Sequence, residues 1–458
     1  MRLALGGLLR DALAGGAQVD EARGNVLLAQ AQALAASLAQ HDLLPQEPVH
    51  LHVGRGAADL VGMLGIWLAG GVVVPLHVTA AASTIDALGQ ATGARLVVGD
   101  MVTVIAAASP APREMLSGAA LVVFTSGTTG RAKGVVIGHA ALEGKLDVLG
   151  RLLGLRPGDV VVSPLQLTFI FGIWAALLAL RSGARLVLLP KFSRGAIEAE
   201  LAGGATVLAA VPSMLRALHT GAPPATGALR MLLTGGETLD PVLSGRIGQG
   251  WPGIAVFDLY GSTETGSCDF ARQVGPELSE GVIGHPTEGV DYRIAANGEL
   301  CIRTPFGMAG YLDNPSLTAA AFVDEYFLTG DIARALPGGT VALIGRLKEL
   351  VSRGGNKIAP QEIDNLLAAH PSVSAALSTG LPDERLGETL HSVVVLALGA
   401  AVSSDGLRAW LAERVERFKV PDSIRIVDAL PSGPTGKASR AALRALLLSQ
   451  ETMQDRGG

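Results

Sequence analysis

Short apolar runs recur through this chain at residues 49–53, 96–98, 121–124, 185–189, 206–211, 231–233 and 254–259, and stretches rich in alanine and leucine separate several of them. Runs of that length suit buried strands, and helix-forming stretches between them supply the crossovers that parallel strands require. The alternation predicts an α/β protein with mostly parallel sheets. One helix is legible at 26–39, where Leu27, Ala31, Leu34 and Leu38 form an apolar stripe. With 49% apolar residues, the 458-residue chain can bury large cores, divided among about three domains or subdomains. Ligands of such sheets bind beyond the carboxyl ends of the strands. The runs at 121–124 and 254–259 both end where polar, glycine-rich loops begin.

From about Val290 the texture changes to short strands with turns, at 292–294 and 299–303, the pattern of a small β subdomain over about 290–346. After Arg346 comes a tail of about a hundred residues with its own strands (391–398) and helices (406–418), the size of a small domain. The expected division is a large N-terminal domain over 1–346 and a smaller α+β C-terminal domain over 347–458.

Composition excludes several functions. The net charge is −5 and no basic stripe is present, which argues against a nucleic-acid surface. Cys268 and Cys301 lie in unrelated contexts, so neither a disulfide framework nor a zinc spacing follows; a reducing, cytoplasmic setting fits. Residues 3–13 are too broken by glycine, Arg10 and Asp11 for a signal peptide. The uncharged stretch 160–180 has the length of a membrane span. Pro164, Gln166 and Thr168 interrupt it, however, so a buried strand, a loop and a core helix are expected rather than an integral membrane segment. His50 and His52 alternate along a strand with one wet face, and with no third ligand near they are expected to be solvated rather than metal-bound.

Residues 124–134, Phe-Thr-Ser-Gly-Thr-Thr-Gly-Arg-Ala-Lys-Gly, set four hydroxyls, three glycines and one lysine directly behind an apolar run. Glycine lets backbone N–H groups turn toward an anion without a Cβ in the way. Thr125, Ser126, Thr128 and Thr129 offer further donors around Gly127 and Gly130, and Lys133 adds a mobile positive charge. The ordinary phosphate loop, Gly-x-x-x-x-Gly-Lys-Ser/Thr, does not fit, because Gly134 follows the lysine. A kinase is disfavoured for the same reason.

Five further segments complete a pattern: 232–237 (Leu-Leu-Thr-Gly-Gly-Glu), 258–264 (Asp-Leu-Tyr-Gly-Ser-Thr-Glu), 327–331 (Phe-Leu-Thr-Gly-Asp), 345–362, and 431–437 (Pro-Ser-Gly-Pro-Thr-Gly-Lys). Together and in this order they resemble the adenylate-forming superfamily of acyl-CoA synthetases, peptide-synthetase adenylation domains and luciferase-like enzymes, over about residues 20–445. Lysine usage adds weight. Only seven occur, so Lys133, Lys348 and Lys437 stand out at motif positions, whereas Lys145 is expected to be an incidental solvated charge. The chain is somewhat short for that family, and part of the first subdomain is expected to be trimmed.

The resemblance implies two half-reactions. A carboxylate attacks the α-phosphorus of ATP, giving acyl-AMP and pyrophosphate; a thiol then attacks the acyl carbon and releases AMP. It implies that the loop of Thr125, Ser126, Gly127, Thr128, Thr129, Gly130 and Lys133 holds the β- and γ-phosphates. Thr263 would contact the α-phosphate and Glu264 would hold Mg2+. Gly235, Gly236 and Glu237 would line one side of adenine, with Tyr260 and Gly261 on the other and Asp258 near its amino group. Asp331 and Arg346 would bind the ribose, and Phe169, Ile173 and Val211 would wall the acid pocket. Lys437 would bridge the substrate carboxylate and the α-phosphate. A mobile C-terminal domain would turn about a hinge at Lys348, exchanging Lys437 for the Gly354–Gly355 loop, which forms a thiol tunnel.

Three departures stand out: Ala132 where the family usually has proline, Ser432 where arginine is common, and Phe169 where many acyl-CoA synthetases place histidine. Amino-acid-activating relatives carry an aspartate in the region of 169–174 to pair the substrate's ammonium; none stands here, and a bare ammonium in that apolar pocket would be costly. The expected substrate is a carboxylic acid without an α-amine, with CoA as co-substrate. The alternatives are loading of an acyl carrier protein's phosphopantetheine, or ATP binding without catalysis. A homodimer is compatible with all of these.

Overall fold

Parallel strands form the centre of two of the three sheets. The structure, a computed structural model, describes residues 4–54, 56–106, 111–126, 132–275, 281–432 and 438–455. In the seven-stranded sheet the order is Gly310–Tyr311, Ala132–Gly138, Ala119–Ser126, Val72–His77, Pro48–Val53, Leu96–Val98 and Val102–Val104. Its inner pairs are parallel and its margins antiparallel. The largest sheet holds a parallel row, Gln18–Val19, Arg185–Leu188, Val160–Ser163, Val207–Ala209, Met231–Gly235 and Ala255–Tyr260. Beyond Ala255–Tyr260 it turns antiparallel, from Phe270–Gln273 through Val282–Pro286, Val341–Arg346, Tyr326–Ala335 and Glu299–Arg303 to Asp291–Ile294. The α/β expectation holds: parallel pairs make up the centres of the two large sheets, and antiparallel strands flank them.

Strands covered on both faces read as unbroken apolar runs. This corrects the expectation for Pro48–Val53, which has no wet face: it lies between two parallel neighbours, the helix Ala82–Thr92 packs on the face that carries His50, and His50 is fully buried. The His50 imidazole meets Thr92 Oγ1 at 2.9 Å through Nε2. Burial, and then the neighbouring His52, push its pKa down to about 4. The stretch at 160–180 folds as expected, into the strand Val160–Ser163 and the buried helix Ile170–Arg181. No helix among the described residues is long and apolar enough to cross a membrane. The helix Ala4–Ala14 sends Leu5, Leu9 and Leu13 into the same core as Leu27, Ala31 and Leu38 of the helix Gly24–Gln40.

A separate C-terminal domain is built on the third sheet, of Asn356–Ile358, Val351–Arg353, Gly387–Leu396, Val373–Asp383 and Ser423–Ile426. The helices Pro360–Ala368 and Ser404–Ala412 close a core of its own around Ile363, Leu367, Leu390 and Leu407.

Candidate active site

The strand Ala119–Ser126 turns back as Ala132–Gly138, setting Thr125 opposite Lys133 and Ser126 opposite Ala132. Leu121, Val122 and Val123 are buried, so the hairpin is rooted in the core and its polar end lies beyond the sheet. Gly127, Thr128, Thr129 and Gly130 lie outside the described residues, as does Lys437. Across the hairpin's edge, Gly310 and Tyr311 pair with Val136 and Val135. The Lys133 ammonium stands 5.2 Å from the centre of the Tyr311 ring. The Tyr311 hydroxyl donates to Glu264 Oε1 at 3.1 Å. Burial, followed by the Glu264 charge, pushes the Tyr311 phenol well above its usual range.

Thr263 and Glu264 ride on a turn that leaves the strand Ala255–Tyr260. Asp269 N–H donates to Tyr260 O at 2.7 Å and Ser267 N–H to Ser262 O at 2.8 Å, which fold the turn back on itself. Gly261 is required there, because a Cβ would run into the backbone nitrogen of Cys268. Ser262 N–H donates to Thr265 Oγ1 at 3.2 Å, and the Thr265 hydroxyl donates to Asp269. Asp269 is fully buried against Lys145, whose Nζ lies 3.4 Å from Asp269 Oδ1 and donates to Cys268 O at 3.2 Å. Lys145 is thus no solvated charge: its side chain is fully buried, 5.1 Å from the centre of the Phe306 ring, and it fastens the turn from below. Sequence reasoning missed it because the helix His139–Leu153 shows one lysine among apolar positions, and only the fold brings Asp269 opposite.

Tyr260, Asp331 and Arg346 converge. The Tyr260 hydroxyl donates to Asp331 Oδ2 at 2.6 Å, and Arg346 Nε meets Asp331 Oδ1 at 2.9 Å. Asp331 and Arg346 are cross-strand partners, so the sheet register itself makes the pair. Burial, then the Asp331 charge, holds the Tyr260 phenol protonated. A carboxylate has lone pairs beyond the two engaged here, so Asp331 retains capacity for hydroxyl donors.

On the other side, Gly235 lies opposite Leu259, whose carbonyl oxygen leaves no room for a Cβ. The neighbouring strand therefore demands this glycine. Gly236 takes φ +76°, a left-handed conformation that favours glycine, and a Cβ there would stand 4.0 Å from Val211. The Glu237 carboxylate accepts from Ser213 N–H at 2.8 Å and from Ser213 Oγ at 3.0 Å. Asp258 is gripped by Arg272, through Nε at 3.0 Å and Nη2 at 2.7 Å. Burial raises its pKa and Arg272 opposes the rise. Of the acid-pocket candidates, Phe169 is 47% exposed at the start of the helix Ile170–Arg181, Val211 is half-buried, and Ile173 is fully buried in the core.

Gly354 and Gly355 join the strands Val351–Arg353 and Asn356–Ile358 with φ of +55° and +84°. Two consecutive left-handed residues make the tight hairpin that two glycines favour. Lys348 lies in the turn Leu347–Glu349. Beside it, Glu349 Oε2 accepts from Arg440 Nε at 2.7 Å. Arg440 also donates to Ser378 O at 2.8 Å and Gln361 Oε1 at 2.8 Å. Just upstream, Ser432 and Ala438 pair as an antiparallel bridge on either side of the segment that carries Lys437. Tyr311, Arg272, Asp269 and Arg440 were not singled out from the sequence. Arg440, three residues past Lys437, was the one with a positional signal.

The family model of AMP-binding enzymes matches residues 106–312, and that of the AMP-binding enzyme C-terminal domain matches residues 362–437. A probable CoA ligase of Humulus lupulus is 32% identical over 354 residues, covering 73% of this chain and 67% of that protein. A fatty acid–acyl-carrier-protein ligase of Streptomyces coeruleorubidus is 32% identical over 351 residues, covering 70% of this chain and 66% of that protein. The chain thus spans about two thirds of the length of these curated relatives. The crystal structure of ATP-bound MatB from Rhodopseudomonas palustris superposes with a TM-score of 0.87 at 25% identity, covering 97% of this chain and 99% of MatB. With both family models matched in order and relatives alike over most of its length, this chain belongs to the AMP-binding, adenylate-forming enzymes.

Proposed function

We propose that the protein uses ATP to activate a carboxylic acid lacking an α-amine to its acyl-AMP, and then transfers the acyl group to the thiol of CoA. The observation that carries this is the gathering of Lys133, Glu264, Tyr260, Asp331 and Arg346 from two sheets, joined by Tyr311 and by the Tyr260–Asp331 bond. Cationic and acidic groups are then spaced as a nucleotide needs them: a lysine for phosphate, and a carboxylate–arginine pair for ribose. Catalysis in the first half-reaction is mostly positioning and charge neutralisation, because two anions must meet at phosphorus. Thr125, Ser126 and Lys133 hold the terminal phosphates, and Thr263 contacts the α-phosphate. Gly235, Gly236 and Tyr260 flank the base, and Asp331 and Arg346 fix the sugar. Lys437 neutralises the approaching carboxylate and the α-phosphate together.

Glu264 would hold Mg2+. One oxygen carries the Tyr311 bond and the other accepts nothing from the described residues. No group of three or more His, Cys, Asp or Glu suited to a metal occurs among those residues. A single carboxylate suits an ion that usually keeps several waters and binds through substrate phosphates. When bound, the ion would draw charge from the phosphates. Cys268 and Cys301 are both buried free thiols, which supports a reducing, cytoplasmic setting.

The test is pyrophosphate release over a panel of aliphatic and aromatic acids, with CoA and with carrier proteins as acceptors. Acid-dependent release completed by CoA supports the proposal, whereas rapid pyrophosphate exchange with ordinary amino acids overturns the substrate class. Carrier-protein loading is the second reading, favoured by the likeness to the Streptomyces carrier-protein ligase. Lys348→Pro tests the turn between half-reactions. Fixing the backbone there should slow thioester formation at least about tenfold while pyrophosphate release changes less. Unchanged turnover removes Lys348 from the hinge.

A further inference from the structure

The geometry points to Tyr311 as a positioning residue that keeps the Lys133 ammonium and the Glu264 carboxylate near one another yet unpaired, each presented to the nucleotide. The inference rests on the proposed function, because it takes both groups to face MgATP.

Tyr311 is held by its backbone. It lies opposite Val135, two residues along from Lys133, so Lys133 and Val135 share one face of the strand beside it. Tyr311 N–H donates to Thr318 Oγ1 at 2.9 Å, and Leu312 N–H donates to Gly134 O at 2.7 Å. The residue is 4% exposed, so the ring has little freedom. The same segment grips Glu264 twice, through Met308 N–H to Glu264 O at 2.8 Å and through the Tyr311 hydroxyl to Oε1 at 3.1 Å.

The chemistry follows from what the two charges would otherwise do. A glutamate on a turn and a mobile lysine that both reach the same tyrosine would seek each other, and an ion pair between them would leave phosphate and cation without their partners. The ring offers Lys133 its negative face. The hydroxyl gives Glu264 a donor that leaves its charge intact. One rigid side chain therefore satisfies both groups without neutralising either.

The experiment is equilibrium binding of ATP by calorimetry, without any acid, across a range of Mg2+ concentrations. Tyr311→Phe keeps the ring under Lys133 and removes the donor. The half-saturating Mg2+ should rise about tenfold, the scale of a hydrogen bond to a charged group, while Mg2+-free ATP binding stays within about twofold. Tyr311→Leu removes the ring as well and should also weaken Mg2+-free binding, as Lys133 turns to Glu264. In a Glu264→Gln background the Tyr311→Phe change should add nothing to the Mg2+ dependence, which a general loosening of the fold would not reproduce. An unshifted Mg2+ requirement in Tyr311→Phe, or full additivity with Glu264→Gln, overturns the inference. If the wild type binds MgATP with this pattern but releases no pyrophosphate with any acid, the proposed function falls and the role of Tyr311 stands. If the wild type binds no ATP, both fall.

Discussion

Lys437→Ala should lower acyl-AMP formation by about two to three orders of magnitude and leave thioester formation from supplied acyl-AMP within about threefold. The scale is that of removing one preorganised charge from where negative charge develops. In the first half-reaction a carboxylate closes on a phosphate, and in the role proposed for it Lys437 touches both and offsets their repulsion only as they meet. Its loss therefore lowers kcat more than it weakens binding of either substrate. On either side of the segment that carries Lys437, Ser432 and Ala438 form an antiparallel bridge, and Ser439 N–H donates to Pro431 O at 2.9 Å. Arg440 ties the following helix to Glu349, one residue beyond Lys348. Separate assays decide it: pyrophosphate release for the first half, and CoA consumption with synthetic acyl-AMP for the second. Survival of both half-reactions removes Lys437 from the mechanism.

Elements whose burial follows from their own residues were legible in the sequence. The stripe of Leu27, Ala31 and Leu38 marked one helix face, and runs such as that at 121–124 marked strands wherever an apolar stretch ended in polar residues. Groups whose meaning depends on a distant partner were not legible. His50 looks amphipathic in alternation, yet the helix Ala82–Thr92 covers it through Gly89 and Thr92. Asp331 and Arg346 were both assigned to the ribose, but their direct pairing with one another is a property of sheet register. Tyr311 was invisible because its importance comes from a strand of two residues crossing beside Val135 and Val136. Gly235 was singled out for the close approach of a flat ring, and the fold adds a constraint that the sequence did not show, since the Leu259 carbonyl leaves no room for a Cβ.

Lys145→Met should destabilise the fold by about 3–5 kcal/mol at neutral pH, although methionine fits the apolar stem of the site. The cost lies in Asp269, which keeps its burial and loses its cation. Burial already pushes the Asp269 carboxyl up, and Lys145 and then Thr265 pull it back. Without Lys145 the upward push dominates, so the folded protein binds this proton more tightly than the unfolded chain. Such a group stabilises the fold below the unfolded pKa, near about 4, and that contribution is lost as pH rises through the folded pKa. The deficit of Lys145→Met should therefore be small in mild acid and grow toward neutrality, the reverse of a carboxylate held low by a partner. Adding Asp269→Asn removes the stranded charge and should recover much of the stability. It should leave MgATP binding weaker than in the wild type, because the neutral amide oxygen that can still accept from Thr265 replaces the charge-assisted bond that orients the turn bearing Thr263 and Glu264. Urea unfolding of the two variants between about pH 5 and 8 measures the first effect, and calorimetric ATP binding the second. A pH-independent deficit below about 1 kcal/mol would mean that water or another group already compensates Asp269, and that the turn is held by its backbone bonds alone.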